Sequence, residues 1–360
     1  MGERKTALIP VSNLRPGMVA ARDIYSRNDQ LLIPAESVID ENGIARITFF
    51  GILSVSVFID DMRQLDELDG ELIDDKSDEK LIREFNKKYN ESVVSFSHTM
   101  NSLLEAGGEI DEEKLIHDVD DIVAVTSNKY QVFEMLHFIK KYDDETYMHC
   151  VNVSMLCNVF AEWLGMSELE KKHLTLCGLL HDFGKLLINK EILRKPGHLT
   201  EDEFKIIKEH PRRGYEFFKD KKINESVKRA VLLHHERCDG KGYPFGLRIS
   251  EIDPYAAITA IADVYEAMTA NRVYRKGLCP FEVIRLFEEE GRQQFTPIFL
   301  IPILQKITDT YAQHDVMLNN GQRGKIVLIN RNELHRPSVL TETGIVDLSK
   351  QRNLIISEVY

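Results

Sequence analysis

Seven of the chain's twelve histidines fall between His149 and His235. They include the donor pairs His181-Asp182 and His234-His235, with His149 upstream, His210 between the pairs and Asp263 downstream. Imidazole nitrogens and carboxylate oxygens are ligands for divalent transition metals, which polarise phosphoryl groups and activate water at neutral pH. Apolar runs precede both pairs, Cys177-Gly178-Leu179-Leu180 and Val231-Leu232-Leu233. Burying imidazoles and a carboxylate beside such runs is costly unless they are paired or metal-bound. Single histidines such as His98, His117, His137 and His314 are assigned to the surface or to an ordinary core.

Adjacent donors raise a geometric question. Neighbouring residues on a helix point about 100° apart. His181 and Asp182 therefore face one ion together only if the helix ends there, or if Asp182 bridges to a second ion. The same holds for His234-His235, and two such pairs point to a cluster of two or more ions. Glu145 lies four residues before His149, which puts both on one face of a helix. By itself it is equally a solvated residue beside Asp143 and Asp144.

The donors need helices to hold them. Their intervals match helices joined by short connections, and one ligand set per helix, turned inward, is how bundles build metal sites. Helical patterning runs from about Leu81 to Tyr311. Ser167 with Glu170 and Thr200 with Glu203 are capping boxes, and Asp253-Pro254 is an N-cap followed by proline at the first helical position, opening a helix to about Ala270. Before this lies a small β-rich unit, where Val55, Val57 and Ile59 alternate with Ser54, Ser56 and Phe58 and Leu31-Leu32-Ile33 follows an Asn28-Asp29 turn. Asp60 to Glu79 holds ten acidic residues against Arg63 and Lys76, the composition of a solvated linker or helix face. From about Asn319 short apolar runs between turn formers predict a β module of three or four strands. The expected class is mainly α, a helical bundle flanked by two small β units. The expected domains are 1–68, a connector at 69–128, the helical domain at 129–318 and a module at 319–360.

Composition narrows the function. Forty-six Lys plus Arg against 58 Asp plus Glu give a net charge of −12, which argues against a nucleic-acid polymer as partner. A small phosphorylated ligand in a metal-filled pocket remains open. The absence of a bilayer-length apolar run or a signal-peptide core, with five cysteines of uneven spacing, predicts a cytosolic chain with free thiols.

His181-Asp182 with Gly184-Lys185 resembles the HDxGK signature of HD-domain phosphohydrolases. His234-His235-Glu236, Asp239-Gly240 and Gly242-Tyr243-Pro244 resemble the HHE…DGxGYP signature of the HD-GYP branch. Lys195-Pro196-Gly197, Leu199-Thr200, His210-Pro211, Gly214-Tyr215 and the segment from Asp263 to Thr269 fall where that family has matching segments, so the resemblance covers about residues 130–315. The stretch around Leu14-Arg15-Pro16-Gly17-Met18 resembles the small β domain that precedes some members. The resemblance implies an HD-domain helical phosphodiesterase that hydrolyses cyclic di-GMP to linear pGpG or on to GMP. The metal ligands it implies are His149, His181, Asp182, His210, His234, His235 and Asp263, with Glu145 as the additional ligand of trinuclear members. Two or three ions are expected, iron first and manganese as the alternative; the donor set alone leaves zinc and nickel open.

Catalytic roles fall on Asp182, as bridging ligand orienting an activated hydroxide for in-line attack on phosphorus, and on Lys185, as neutraliser of phosphoryl charge. Arg272 and Arg275 lie where relatives hold the ligand phosphates, and Tyr243 with Gly242 forms a loop placed to meet a guanine. For each of these a structural role competes: a lysine capping a helix end, a solvated basic segment, a tyrosine shaping a turn. Cys238 is taken as a loop cysteine and His198 as exposed. Two other functions stay in view: a cyclic-dinucleotide sensor or partner-binding protein with little turnover, and a phosphodiesterase for cyclic GMP-AMP or another nucleotide. The terminal modules are expected to regulate, to dock protein partners or to form a homodimer.

Overall fold

Strong N-caps and apolar periodicity shape the middle of the chain. The Ser167 hydroxyl accepts the backbone N–H of Glu170 while the Glu170 carboxylate accepts that of Ser167, and Thr200 and Glu203 repeat the exchange. Asp253 accepts from the Tyr255 N–H at 2.9 Å, with Pro254 at the first helical position. Each such cap contributes about 1 kcal/mol and fixes where a helix begins.

The computed structural model describes residues 5–10, 14–25, 31–49, 54–59, 75–126, 130–138, 145–193, 195, 197, 199–270 and 277–360. It divides into two contact units, Met1–Arg83 and Glu84–Tyr360.

In the first unit β1 (Lys5–Pro10) pairs antiparallel with β4 (Ser54–Ile59), Ala7 opposite Val57. β2 (Ile24–Tyr25) pairs with β3 (Leu31–Ile33). Val55 and Val57 are buried together with Ile33, Ile39 and Ile47 in one small core, but Ser56 between them is buried as well, so the expected alternation of burial does not hold there. A helix, α1 (Glu41–Phe49), follows β3 and precedes β4 in the chain. It was not expected, because nine residues with one buried isoleucine stripe give little periodicity to read. Most of the acidic run, residues 60–74, lies outside the described residues; its end opens the long helix α2 (Asp75–Ala106).

The second unit is mainly helical. After α2 come α3 (Glu112–Val125), α4 (Tyr130–Phe138), α5 (Glu145–Trp163) and α6 (Glu168–Leu180), then a 3-10 turn at Phe183–Leu187. There follow α7 (Lys190–Leu193), α8 (Glu201–Lys208), α9 (His210–Phe218), α10 (Glu225–Leu233) and α11 (Pro254–Thr269). The helices α12 (Pro280–Leu286), α13 (Arg292–Gln294) and α14 (Pro297–Thr310) complete the set, with a π turn at Phe287–Gly291. From Val151 to Ala161 every residue of α5 is buried, so this helix is the centre of the bundle rather than an amphipathic surface helix. Helices α6 and α11 pack on it and on each other, and α10 packs on both of these. Each fully buried Val, Leu or Phe there contributes about 1.5–3 kcal/mol, which holds the four helices in fixed register.

The chain ends in a five-stranded antiparallel sheet of order β8-β7-β6-β5-β9. Its strands are β5 (Asp315–Leu318), β6 (Arg323–Leu328), β7 (Ser338–Thr341), β8 (Gly344–Asp347) and β9 (Ile356–Val359). Three or four strands were expected from about Asn319. The extra one, Asp315–Leu318, follows α14 directly, and four residues with two buried side chains leave a faint period-two signal. Glu288 ties this sheet to the helices: its carboxylate accepts the backbone N–H groups of Leu334 and His335 at 3.0 and 3.1 Å and meets the His335 ring.

Candidate metal centre

The ends of α6 and α10 answer the problem of adjacent donors. Helix α6 stops at Leu180, with His181 as its C-cap, and the backbone turns into the 3-10 segment at Asp182. Helix α10 stops at Leu233, and His234 is its C-cap. Once the helix ends, consecutive side chains no longer diverge by a fixed angle, and both members of each pair turn to the same cluster. His149 comes from α5, His210 from the first residue of α9 and Asp263 from the buried face of α11.

Gly184 lets these parts meet. A Cβ there would lie 1.8 Å from the His210 carbonyl oxygen and 2.9 Å from the Gly214 nitrogen. Only glycine allows the turn carrying Asp182 to press on the first turn of α9.

Two donor groups result, Asp182 with His210, His234 and His235, all buried but the half-buried His235, and the buried His149 with His181 and Asp182. Within each, the ligand atoms lie within 4.8 Å of one another. Asp182 belongs to both. Its Oδ1 is 3.2 Å from His210 Nε2 and 3.7 Å from His234 Nε2, while Oδ2 is 3.5 Å from the Nε2 atoms of His149 and His181. Asp263 Oδ1 is 3.0 Å from His149 Nε2 and 3.9 Å from His181 Nε2.

The outward nitrogens reveal what the inward ones must be. Nδ1 of His181 lies 2.8 Å from the Gly178 carbonyl, Nδ1 of His210 2.8 Å from that of Ile207, and Nδ1 of His234 3.0 Å from that of Val231. A carbonyl only accepts, so each Nδ1 carries the proton and each Nε2 presents a lone pair inward. His149 Nδ1 lies 2.6 Å from Glu266 Oε2 and so carries a proton too, leaving its Nε2, 3.0 Å from Asp263 Oδ1, to hold a metal ion or a second proton. Yet His210 and His234 bring their Nε2 atoms to 3.2 Å, and His149 and His181 to 3.3 Å. Lone pairs at such distances repel unless a cation sits between them. Asp182 Oδ1 is buried and finds no hydrogen-bond donor of acceptable geometry. Inward lone pairs and an orphaned carboxylate oxygen fit divalent cations held by nitrogen and oxygen, and the clusters are those of a binuclear site.

Electrostatics agree. Burial lowers His181 to about 4 against the pull of Asp182, and burial likewise lowers His210 and His235, so all three stay neutral and able to ligate. Burial opposes protonation of His149, but the Glu266 and Asp263 carboxylates outweigh it and raise this ring to about 10. That corner therefore demands a positive charge. Asp182 is held well below the usual carboxylate range, with burial opposing and Lys185 and His181 prevailing. Lys185, in the 3-10 turn, ion-pairs with Asp182 Oδ2, and although burial disfavours its charge the carboxylates of Asp182 and Asp263 raise its pKa.

Tyr243 stacks on His235, the ring centroids 4.6 Å apart and the planes 27° from parallel. The tyrosine thus packs on a candidate ligand. Gly242 allows this, because a Cβ would stand 2.4 Å from the Arg237 nitrogen and 2.5 Å from the Glu236 Cα. Glu145 opens α5, but its side chain lies outside what the structure describes, as do Arg272 and Arg275 entirely. Cys238 donates its N–H to the Gln294 carbonyl and sits in neither donor group. His198 also lies outside the described residues.

Three residues were given no role from sequence. Glu266 holds His149, Asn152 donates to Glu266 Oε1 at 2.9 Å, and Glu236 anchors the loop that follows it. A signal existed for two: Asn152 and Glu266 each lie three residues after a candidate ligand, His149 and Asp263, hence on the same helix face.

Residues 127–297 match the HD domain family. A cyclic di-GMP phosphodiesterase of Pseudomonas aeruginosa is 38% identical over 224 residues, 62% of this chain and 53% of that protein. A 3'3'-cGAMP-specific phosphodiesterase of Vibrio cholerae is 39% identical over 145 residues, 40% of this chain and 34% of that protein. This chain thus spans about half the length of the Pseudomonas relative, and less of the Vibrio one. The solved structure of an HDG"Y"P protein from Bdellovibrio bacteriovorus superposes with a TM-score of 0.50 at 19% identity, over 83% of this chain and 98% of that one, a likeness of fold. Among the described residues no helix is long and apolar enough to cross a membrane. Residues 127–297 thus match an HD domain, and the chain is related, at 26–42% identity, to curated cyclic dinucleotide phosphodiesterases.

Proposed function

We propose that the chain is a metal-dependent phosphodiesterase that hydrolyses cyclic di-GMP to linear pGpG, or on to GMP. The observation that supports this most is Asp182 lying between two imidazole pairs, one at each of its oxygens. His149, His181, Asp182 and Asp263 would hold one ion, and Asp182, His210, His234 and His235 the other. Iron is the first candidate and manganese the second, since the donors are imidazole and carboxylate without thiolate. Such ions, when bound, lower the pKa of water and offset charge on a phosphoryl group.

The chain's own residues do the rest. Asp182 orients the cluster through both its oxygens. Lys185, charged and beside Asp182, neutralises a phosphoryl oxygen as the P–O bond to ribose breaks. Tyr243, supported by Gly242 and braced on His235, presents its outer face to a base. Arg272 and Arg275 bind the phosphates. Glu145, one helical turn before His149, supplies a donor to a third ion, and Glu145→Ala lowers metal content by about one ion per chain if so. Free cysteines at all five positions accord with a cytosolic setting. The terminal modules serve regulation, protein docking or dimerisation.

Cyclic GMP-AMP is the second reading, favoured by the Vibrio relative of that named specificity. Incubation of the anaerobic, iron-loaded chain with each cyclic dinucleotide, followed by chromatography, decides between them. Tight binding without linear product in iron or manganese would instead support a sensor.

A further inference from the structure

A line of buried hydrogen bonds leaves the metal centre and ends on a different helix. Glu266 Oε2 accepts from His149 Nδ1 at 2.6 Å, and Glu266 Oε1 accepts from Asn152 Nδ2 at 2.9 Å. Asn152 Oδ1 then accepts the hydroxyl of Tyr89, on α2, at 2.9 Å. All four side chains are buried, Tyr89 at 0% exposure. The carboxylate leaves the amide one orientation, because a flipped amide would set its oxygen against Glu266. The amide in turn leaves the tyrosine hydroxyl the donor's part.

We infer that Tyr89, Asn152 and Glu266 are positioning residues of the metal centre, which hold the His149 ring in the tautomer and rotation that ligation requires. The inference rests on the metal-binding reading above and adds three residues that touch no ion. His181, His210 and His234 are steadied by backbone carbonyls three residues upstream, at helix ends, whereas His149 has a side-chain carboxylate instead. Backbone carbonyls come with the helix. A buried carboxylate must itself be aimed, and Asn152 aims one of its oxygens with Tyr89 behind it. The His149 corner is therefore the part of the site that depends on α2. Substitutions one step behind a ligand typically weaken metal affinity about 10- to 100-fold.

The test titrates Mn(II) alone into the metal-free full chain under argon, with the free ion counted by its paramagnetic resonance signal. Wild type is expected to take up at least two ions. Glu266→Gln should lose about one ion per chain, or weaken it about 10- to 100-fold, and leave the other site's affinity within about twofold. Tyr89→Phe, which keeps the ring and removes only the hydroxyl, should weaken the same ion several-fold with an unchanged circular dichroism spectrum. The double variant should be no weaker than Glu266→Gln alone, because the tyrosine acts through that carboxylate. Wild-type affinity in Glu266→Gln, or equal loss at both sites in Tyr89→Phe, overturns the inference while the metal reading stands. A wild-type chain that takes up no ion overturns both.

Discussion

The buried carboxylate of Glu236 accepts the backbone N–H of Phe245 at 2.6 Å. It accepts those of Gly246 and Leu247 as well, at 3.2 and 2.8 Å, so one side chain fixes three consecutive amides of the loop that follows Tyr243. Because Tyr243 stacks on His235, this clasp sets the wall of the metal centre on that side.

Removing the clasp should loosen that wall. Hydrogen bonds to a charged acceptor are worth about 1.5–3 kcal/mol each, so Glu236→Ala is expected to cost at least about 3 kcal/mol in a urea melt. Tyr243 would lose its brace, and the Michaelis constant for the cyclic dinucleotide should rise about tenfold, equivalent to about 1.4 kcal/mol of binding. An unchanged constant in the folded variant would remove Tyr243 from the substrate site.

Gly184→Ala is expected to harm the protein through one contact. Its Cβ would meet the His210 carbonyl oxygen at 1.8 Å, and backbone cannot yield as a flexible side chain can. Overpacking usually costs about 1–3 kcal/mol, and this substitution should fall at or above the top of that range. Metal analysis should show loss at the His210 site before loss at the His149 site.

Asp182→Asn should affect both donor groups, since one oxygen of Asp182 faces each. An amide nitrogen would replace one of the two inward oxygens, and overall metal affinity should fall by at least about a hundredfold. His235→Ala, which touches one group only, is the control: it should leave the His149 group loaded.

Acid should loosen the junction between helices and sheet. Burial raises the Glu288 pKa, but the His335 ring and the N–H groups of Leu334 and His335 outweigh it and lower the pKa overall. A carboxylate whose folded pKa is depressed stabilises the fold above its unfolded value, about 4.3, and that contribution is lost as pH falls through the folded pKa. Glu288→Gln should therefore be less stable than wild type at pH 7, with the difference shrinking below about pH 4. Melting temperatures across that range check it, and parallel curves would refute the role of Glu288.

The convergence of donor side chains was legible as spacing. His149, His181-Asp182, His210, His234-His235 and Asp263 lie together, because donors on successive inward-facing helices must recur at helix-length intervals. The caps at Ser167, Thr200 and Asp253 were legible for a related reason, since an N-cap is a local bond between residues two or three apart. Helix α1 and strand β5 were missed because each is short and buries few side chains.

What sequence alone determined here is local: donor types, their intervals, the helix starts and the family resemblance those motifs carry. Tertiary structure decided which oxygen of Asp182 faces which imidazole pair, and that Glu266 stands behind His149 from 117 positions away. It also decided that Tyr89 reaches Asn152 across 63 positions and that Glu236 holds the loop beyond Tyr243. The reason is physical. A cap or a helix face follows from bonds a few residues long, whereas a contact between distant helices depends on how whole cores pack, and that is settled only when many buried side chains interlock at once.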